Sequence, residues 1–410
     1  MTGTSDTPLP PGLRPEAKLL LWVARICTED ERTAHIRTLL DDGIDWDYLL
    51  QLSRHNRLQS LLYWHLKTVT AEAVPPKVMA LLQDYFRQAT LRNMFHTREL
   101  VELLTLFKEK GIASLPYKGP LLAESLYGNL GLRQFWDLDI LVHKEDVLRV
   151  KDLLVERGYR TERELTRAEE RALLDSDSEY NFNSADGRIH IEIHWRILPE
   201  PFANSFDART IWERTVSAEL VNTKTLTLPP EELFLVLCMH GGDKHQWTRL
   251  KWICDIARFI DKYRNIDWDR IIGEAAKHGE AKTVALGAHL AGALLGADLP
   301  NAVGEEVLYD KRVKALAALV RGRLFRQDYG LPGFSEWRCY FNAGNGFTGG
   351  GRQTAGGMKT FLLYLQAVMK PEFRDRYTLS LPPWLSFLSY FYRAWRLARS
   401  QKGNLINRLR

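Results

Sequence analysis

The segment LRQFWDLDILV, residues 132–142, places two carboxylates two residues apart at the head of an apolar run. In a strand, positions i and i+2 point to the same face, so Asp137 and Asp139 share a side. Two anions at the mouth of a buried strand repel each other and resist desolvation, and a cation is needed to neutralise them. A third carboxylate, Glu192, follows 53 residues after Asp139 in the alternating run IHIEIHW. There His190, Glu192 and His194 share one face, and Ile189, Ile191 and Ile193 share the other. Three carboxylates on adjacent strands make a hard oxygen cage suited to Mg2+, with Mn2+ a possible substitute. Two such ions about 3.5–4 Å apart can activate an attacking oxygen and stabilise departing pyrophosphate.

Lys118-Gly119 stands at a strand-to-helix turn, 18 residues before Asp137 by its glycine. A glycine there lets backbone approach a phosphate, and a helix N-terminus favours an anion. Lys118 and Arg133 are the candidate phosphate partners. A structural alternative is that both simply pair with acids. His190 and His194 flank Glu192, but four residues of strand separate them by about 13 Å, too far to chelate one ion from that strand alone. A supporting role on the polar face is expected for both.

These residues need a small sheet to hold them. Residues 112–117, IASLPY, read as a short strand, and PLLAESLYG as a helix with proline at its first position and a glycine stop. DLDILVH is a strand, KEDVLRVKDLLVERG a helix, and YRTERE the start of a further strand. An Asp186-Gly187 turn between two alternating runs predicts a hairpin ending in the Glu192 strand. Before this block, residues 16–110 carry helical periodicity, with Asp45 as an N-cap and a long amphipathic stretch ending at Gly111. From Pro230 the chain is helical again. Residues 341–358 are glycine-rich without the G-x-x-x-x-G-K-[ST] phosphate-loop pattern. The tail is aromatic and turns basic.

The arrangement resembles the DNA polymerase β-like nucleotidyltransferase superfamily, in which a glycine-containing turn precedes an h-[DE]-h-[DE]-h strand and a third acid follows. Closer still, KGPLLAESLYGNLGLRQFWDLDILV, residues 118–142, is similar to the pattern KGPxLAxxLYGxxxLRxxxDLDxLV of a bacterial family of uncharacterised nucleotidyltransferases. That family's later E-[IL]-H-W stands as Glu192-Ile193-His194-Trp195. Its helical H-x-x-x-H-x-W-x-x-L-x-W-x-x-D segment corresponds to His240 and then Lys244, His245, Trp247, Leu250, Trp252 and Asp255, with the second histidine one step later. The ending LPPWLSFLSYFYRAWRL is also similar, so the resemblance runs nearly the length of the chain. The departures are Lys118-Gly119 where the superfamily often has Gly-Gly or Gly-Ser, and a bulky Trp136 before the first acid.

The resemblance implies that Asp137, Asp139 and Glu192 are catalytic and hold the metal. It implies that Lys118, Gly119 and Arg133 meet the phosphates. His245, Lys251 and Asp255 would lie on a lid helix over the nucleotide; salt bridges and packing are the plainer account of the same helical spacing.

The chain has 410 residues, 45% hydrophobic and 26% charged, with a formal net charge of +5. This is an ordinary globular composition, mildly basic, without the dense Lys/Arg runs of a nucleic-acid binder. Four dispersed cysteines argue against a zinc or disulfide framework and fit a reducing cytoplasm. The polar, proline-rich start is unlike a signal peptide, and no run of 18 apolar residues suggests a membrane span.

The expected fold is α+β and mostly helical: a small mixed β-sheet nucleotidyltransferase core flanked by N-terminal and C-terminal helical domains. The expected division is a disordered 1–15, a helical domain 16–110, the core 111–229, a helical domain 230–340, a flexible loop 341–358 and C-terminal helices 359–410. The expected activity is Mg2+-dependent transfer of a nucleoside monophosphate from an NTP to an acceptor, a small molecule, peptide or protein, releasing pyrophosphate. The alternatives are a non-catalytic NTP-binding regulatory module and a toxin-like enzyme modifying tRNA or protein.

Overall fold

In a computed structural model, the described residues are 9–69, 73–161, 164–197, 208–303 and 310–325, with a few positions between 388 and 395. The glycine-rich segment 341–358, Cys339 and nearly all of the tail lie outside them. The chain divides into one unit of Met1–Leu165 with Ser178–Tyr329, and a second of Thr166–Asp177 with Gly330–Arg410. Everything that positions the site belongs to the first.

The first unit begins with helices: α1 (Pro15–Ala24), α2 (Glu29–Asp41), α3 (Trp46–Asn56), α4 (Gln59–Val69) and α5 (Pro76–Glu109). The Asp45 carboxylate accepts the Tyr48 N–H at 3.0 Å, so α3 starts with the cap its sequence announces. The long α5 stops at Gly111, which takes φ +68 while the Ile112 N–H donates back to the Phe107 carbonyl at 2.8 Å. A glycine in that left-handed position satisfies the last carbonyls without strain. The apolar faces bury Leu49, Leu52, Leu62, Leu66, Leu100, Leu103 and Phe107.

The sheet follows. β1 (Ser114–Pro116) leads into α6 (Gly119–Tyr127), then β2 (Asp137–Val142), α7 (Val147–Glu156) and β3 (Arg160–Thr161). The second unit contributes α8 (Arg167–Ser176), opened by a capping box of Thr166 and Glu169. β4 (Glu179–Asn183) and β5 (His190–His194) form the expected hairpin about Asp186-Gly187. The spatial order is β1-β2-β5-β4-β3. β2 and β5 are parallel, and the other neighbours are antiparallel. The sheet is thus mixed, and its apolar side is built from Leu138, Ile140, Ile191 and Ile193, all fully buried.

After a short α9 (Ala208–Glu213), a hairpin of β6 (Val216–Leu220) and β7 (Thr223–Thr227) appears that the sequence reading did not separate from the core. Thr227 Oγ1 donates to the Pro116 carbonyl at 2.8 Å and ties β7 to β1. Helices then resume: α10 (Pro230–Met239), α11 (Leu250–Lys262), α12 (Trp268–Lys277), α13 (Ala281–Leu295) and α14 (Lys311–Leu324). Between α10 and α11, His240–Lys244 form a π-helical turn. The Trp247 ring packs there against Gly241, Gly242 and Gly287, where any Cβ would lie within 3.2 Å of it. The described chain is therefore α+β and mostly helical. Cys27, Cys238 and Cys254 are free thiols. No described helix is long and apolar enough to cross a membrane.

Candidate active site

The parallel pairing of β2 with β5 builds the site. Asp137 lies beside His190, Asp139 beside Glu192, and Leu141 beside His194. Parallel in-register strands put like-numbered faces together, so the acids of DLD and the polar face of HIEIH converge on one side. Ligand atoms of Asp139, Glu192 and His194 all lie within 4.8 Å of one another. His194 Nε2 is 3.3 Å from Asp139 Oδ1 and 3.4 Å from Glu192 Oε2. His190 Nε2 is 3.6 Å from Glu192 Oε1. Asp137, half-buried at the head of β2, is outside that cluster of three.

Lys118 enters from the turn after β1. Its Nζ donates to Asp139 Oδ1 at 2.8 Å, and both side chains are nearly inaccessible. Gly119 beside it has φ +52, and a Cβ there would sit 3.2 Å from the Asp137 carbonyl. Glycine is needed at this turn because β2 passes so close, a reason the sequence did not disclose.

The charges at the mouth do not cancel evenly. Burial raises the Asp137 pKa, and Asp139 and Glu192 raise it further. Burial works the same way on Asp139, but Lys118 and His194 override it and hold the carboxyl well below the usual range. Glu192 is likewise held low against burial by His190 and His194. Burial opposes a charge on His194, yet Asp139 and Glu192 lift it to about 9. Despite this attraction, His194 Nδ1 and Nε2 are both buried without a directed hydrogen bond. A buried imidazole held against two carboxylates, with no directed bond to either, fits a cation seat in which a bound metal would displace the His194 proton. The oxygen-and-nitrogen donor set suits Mg2+ less strictly than an all-oxygen cage and also accommodates Mn2+.

Arg133 and Asp255 form a second, separate cluster. Arg133 donates in fork fashion, Nε to Oδ1 and Nη2 to Oδ2, both at 2.9 Å. Tyr127 Oη donates to the same Oδ1 at 2.8 Å, and Arg133 Nη1 reaches the Gly119 carbonyl at 3.3 Å. The pair braces the Lys118-Gly119 turn from behind. Lys251 donates to the Gln134 carbonyl at 2.9 Å. Burial, then Arg133, lower its pKa to about 8. His245 stacks on Trp252 with centroids 4.2 Å apart, and burial followed by Lys244 and Lys251 brings its pKa to about 3.

The structure thus gathers Lys118, Asp139 and Glu192, with Asp137 adjoining. It sets Arg133 and Asp255 in a brace behind the turn, stacks His245 on Trp252, and brings Lys251 to the Gln134 carbonyl and the Trp136 ring. Sequence reasoning gave His194 a supporting role because it measured distance along one strand; the partner strand supplies the missing ligands. It missed Glu179, whose Oε2 lies 3.7 Å from His194 Nδ1 and 4.0 Å from Lys244 Nζ. The hairpin register, which pairs Glu179 with His194, was the available signal.

A family model described as uncharacterised nucleotidyltransferase matches residues 42–296. The matched span includes every site residue named above and stops short of the aromatic tail. No curated protein matches the chain.

Proposed function

The chain belongs to the family of uncharacterised nucleotidyltransferases, and from that premise we propose that it transfers a nucleoside monophosphate from an NTP to an acceptor, with release of pyrophosphate. The observation that carries this reading is the convergence of Asp139, Glu192 and His194 across the parallel β2–β5 pair. Asp139 and Glu192, with Asp137 and His194 beside them, would hold Mg2+ or Mn2+. Such ions supply charge neutralisation at the phosphates and activation of the attacking oxygen.

The protein's own part is positioning. Lys118 is held 2.8 Å from Asp139, so it neutralises the buried acid before substrate arrives and is placed to exchange that carboxylate for a phosphate oxygen. Glu192 would complete the cage or accept the proton of the acceptor hydroxyl. Arg133 and Asp255 keep Gly119 against β2, so the turn and the acids stay in register. Preorganised charge of this kind is the largest source of rate in phosphoryl transfer.

The test is turnover of the four NTPs with Mg2+ or Mn2+ in a lysate, following labelled α-phosphate and pyrophosphate. Wild type should transfer label, and the Asp137→Asn/Asp139→Asn variant should not. Metal-dependent NTP binding without transfer to anything would instead favour a regulatory module. Equal transfer by both proteins would overturn the assignment.

A further inference from the structure

Both phosphate cations expected from the sequence are committed in this structure, Lys118 to Asp139 and Arg133 to Asp255. A further set of cations gathers around Trp136, and its arginines are not paired in this way. Trp136, immediately before Asp137, is 38% exposed. Arg57 lies over its ring at 4.3 Å, Arg92 at 4.7 Å and Lys251 at 5.9 Å from the centroid. Arg249 lies near enough to Arg57 for the two charges to repel.

These side chains are brought together on purpose-built backbone. Arg57 ends α3 in a left-handed conformation, φ 59 and ψ 38, which a non-glycine residue adopts at a cost. The preceding Asn56 accepts the Leu250 N–H at 2.9 Å, which docks the end of α3 on the start of α11 and sets Arg57 beside Arg249. On the other side, Asn93 of α5 donates to the Leu130 and Arg133 carbonyls at 2.6 and 2.9 Å. That fixes the loop carrying Trp136 against the helix that carries Arg92.

Among the described residues, no ion pair joins Arg57, Arg92 or Arg249 to a carboxylate. Burial lowers the pKa of both Arg92 and Arg249, and Arg57 lowers each further; Tyr85 is the group that relieves Arg92. Nε and Nη2 of Arg92 are buried without a hydrogen-bond partner. An arginine stacked on an aromatic ring keeps its in-plane donors free for a forked contact, the geometry that suits phosphate. The positive end of α11 adds to the same field.

Building on the nucleotidyltransferase reading, we propose that Arg57, Arg92, Arg249 and Lys251, organised on Trp136, form a phosphate-binding subsite of this protein, supplied jointly by α3, α5 and the start of α11. The phosphate belongs either to the NTP's triphosphate or to a phosphorylated small-molecule acceptor.

The test is calorimetric titration of the full chain with inorganic tripolyphosphate, inorganic phosphate and ATP, all without divalent metal. Wild type should bind tripolyphosphate, and Arg57→Gln/Arg92→Gln should weaken it about tenfold or more, the scale of one or two lost charge-assisted contacts. If the double variant does not fold, Arg57→Gln alone, at a half-buried helix end, carries the same comparison. A matching loss for ATP assigns the site to the donor triphosphate. A loss for phosphate with ATP unchanged assigns it to an acceptor. No binding of any of the three by wild type, or equal binding by wild type and variant, would overturn the proposal. Asp137→Asn/Asp139→Asn should retain tripolyphosphate binding, so failure of the metal reading and failure of this one are read separately.

Discussion

Two buried charge clusters meet at the Lys118-Gly119 turn, and they differ in completeness. In one, the Asp255 carboxylate receives a forked guanidinium and a tyrosine hydroxyl, and the remaining Arg133 donor closes on the Gly119 carbonyl. In the other, Asp139 has one good partner, Lys118, while His194 has two buried nitrogens in no directed bond and Asp137 is pushed toward its neutral form by burial and then by its acidic neighbours. Burying charge is tolerated when every donor and acceptor is used, and is costly otherwise. The closed cluster therefore reads as architecture. The open one keeps unmet electrostatic demand where a ligand can meet it.

This contrast can be broken by exchanging what each acid does. Asp139→Asn should lower nucleotidyl transfer by about a thousandfold or more, the scale of removing a preorganised transition-state contact, while thermal unfolding shifts by only a few degrees. Retained turnover in that variant would contradict the metal reading. Asp255→Ala should do the reverse at the level of the fold. It leaves Arg133 charged and buried, at a cost of about 3–5 kcal/mol in denaturant unfolding. If Asp255→Ala unfolds no more readily than Asp139→Asn, the two clusters are not distinct in kind. His194→Gln sharpens the open side: Mn2+ affinity should fall about tenfold or more, with a smaller loss of stability than Asp255→Ala. Unchanged affinity would make His194 a neighbour of the seat rather than part of it.

The smallest effect belongs to a third, remote pair. Asp243 and Glu280 are both raised, first by burial; Asp243 is raised further by Glu280, and its Oδ2 and the Glu280 Oε2 lack hydrogen-bond partners. A carboxyl whose folded pKa is raised binds more protons in the folded state, so stability falls as pH rises above the ordinary carboxylate range. Asp243→Asn should remove part of that slope. The variant should be more stable than wild type by about 1 kcal/mol at pH 8 and should lose the advantage near pH 4. An equal slope in both proteins would mean that the pair is solvated.

The open cluster was largely legible in the sequence, because alternation fixes which residues of a strand share a face. DLD and HIEIH each declared a polar side, and the Asp186-Gly187 turn set their hairpin context. What the pattern could not give was the partner of each strand. The parallel β2–β5 register is a non-local choice, and it alone makes His194 a candidate ligand and brings Glu179 to its other nitrogen. The closed cluster was ambiguous in the sequence for a related reason. Arg133 and Asp255 are 122 residues apart, and nothing local distinguishes an arginine held by a distant acid from one awaiting phosphate. The Arg57–Arg92–Trp136 assembly was invisible for the same cause, since its members come from α3, α5 and the loop before β2. The helical ends were easier: Asp45 and Gly111 act within one turn of the chain.

The most direct measurement is Mn2+ binding to the metal-free full chain at neutral pH, followed by the loss of the free-ion paramagnetic signal. Wild type should bind Mn2+ and Asp137→Asn/Asp139→Asn should not, while Asp255→Asn, which keeps its place in the brace, should bind as wild type does. Equal Mn2+ binding by wild type and the paired-aspartate variant would contradict the account, because the carboxylates at the mouth of β2 would then hold no metal.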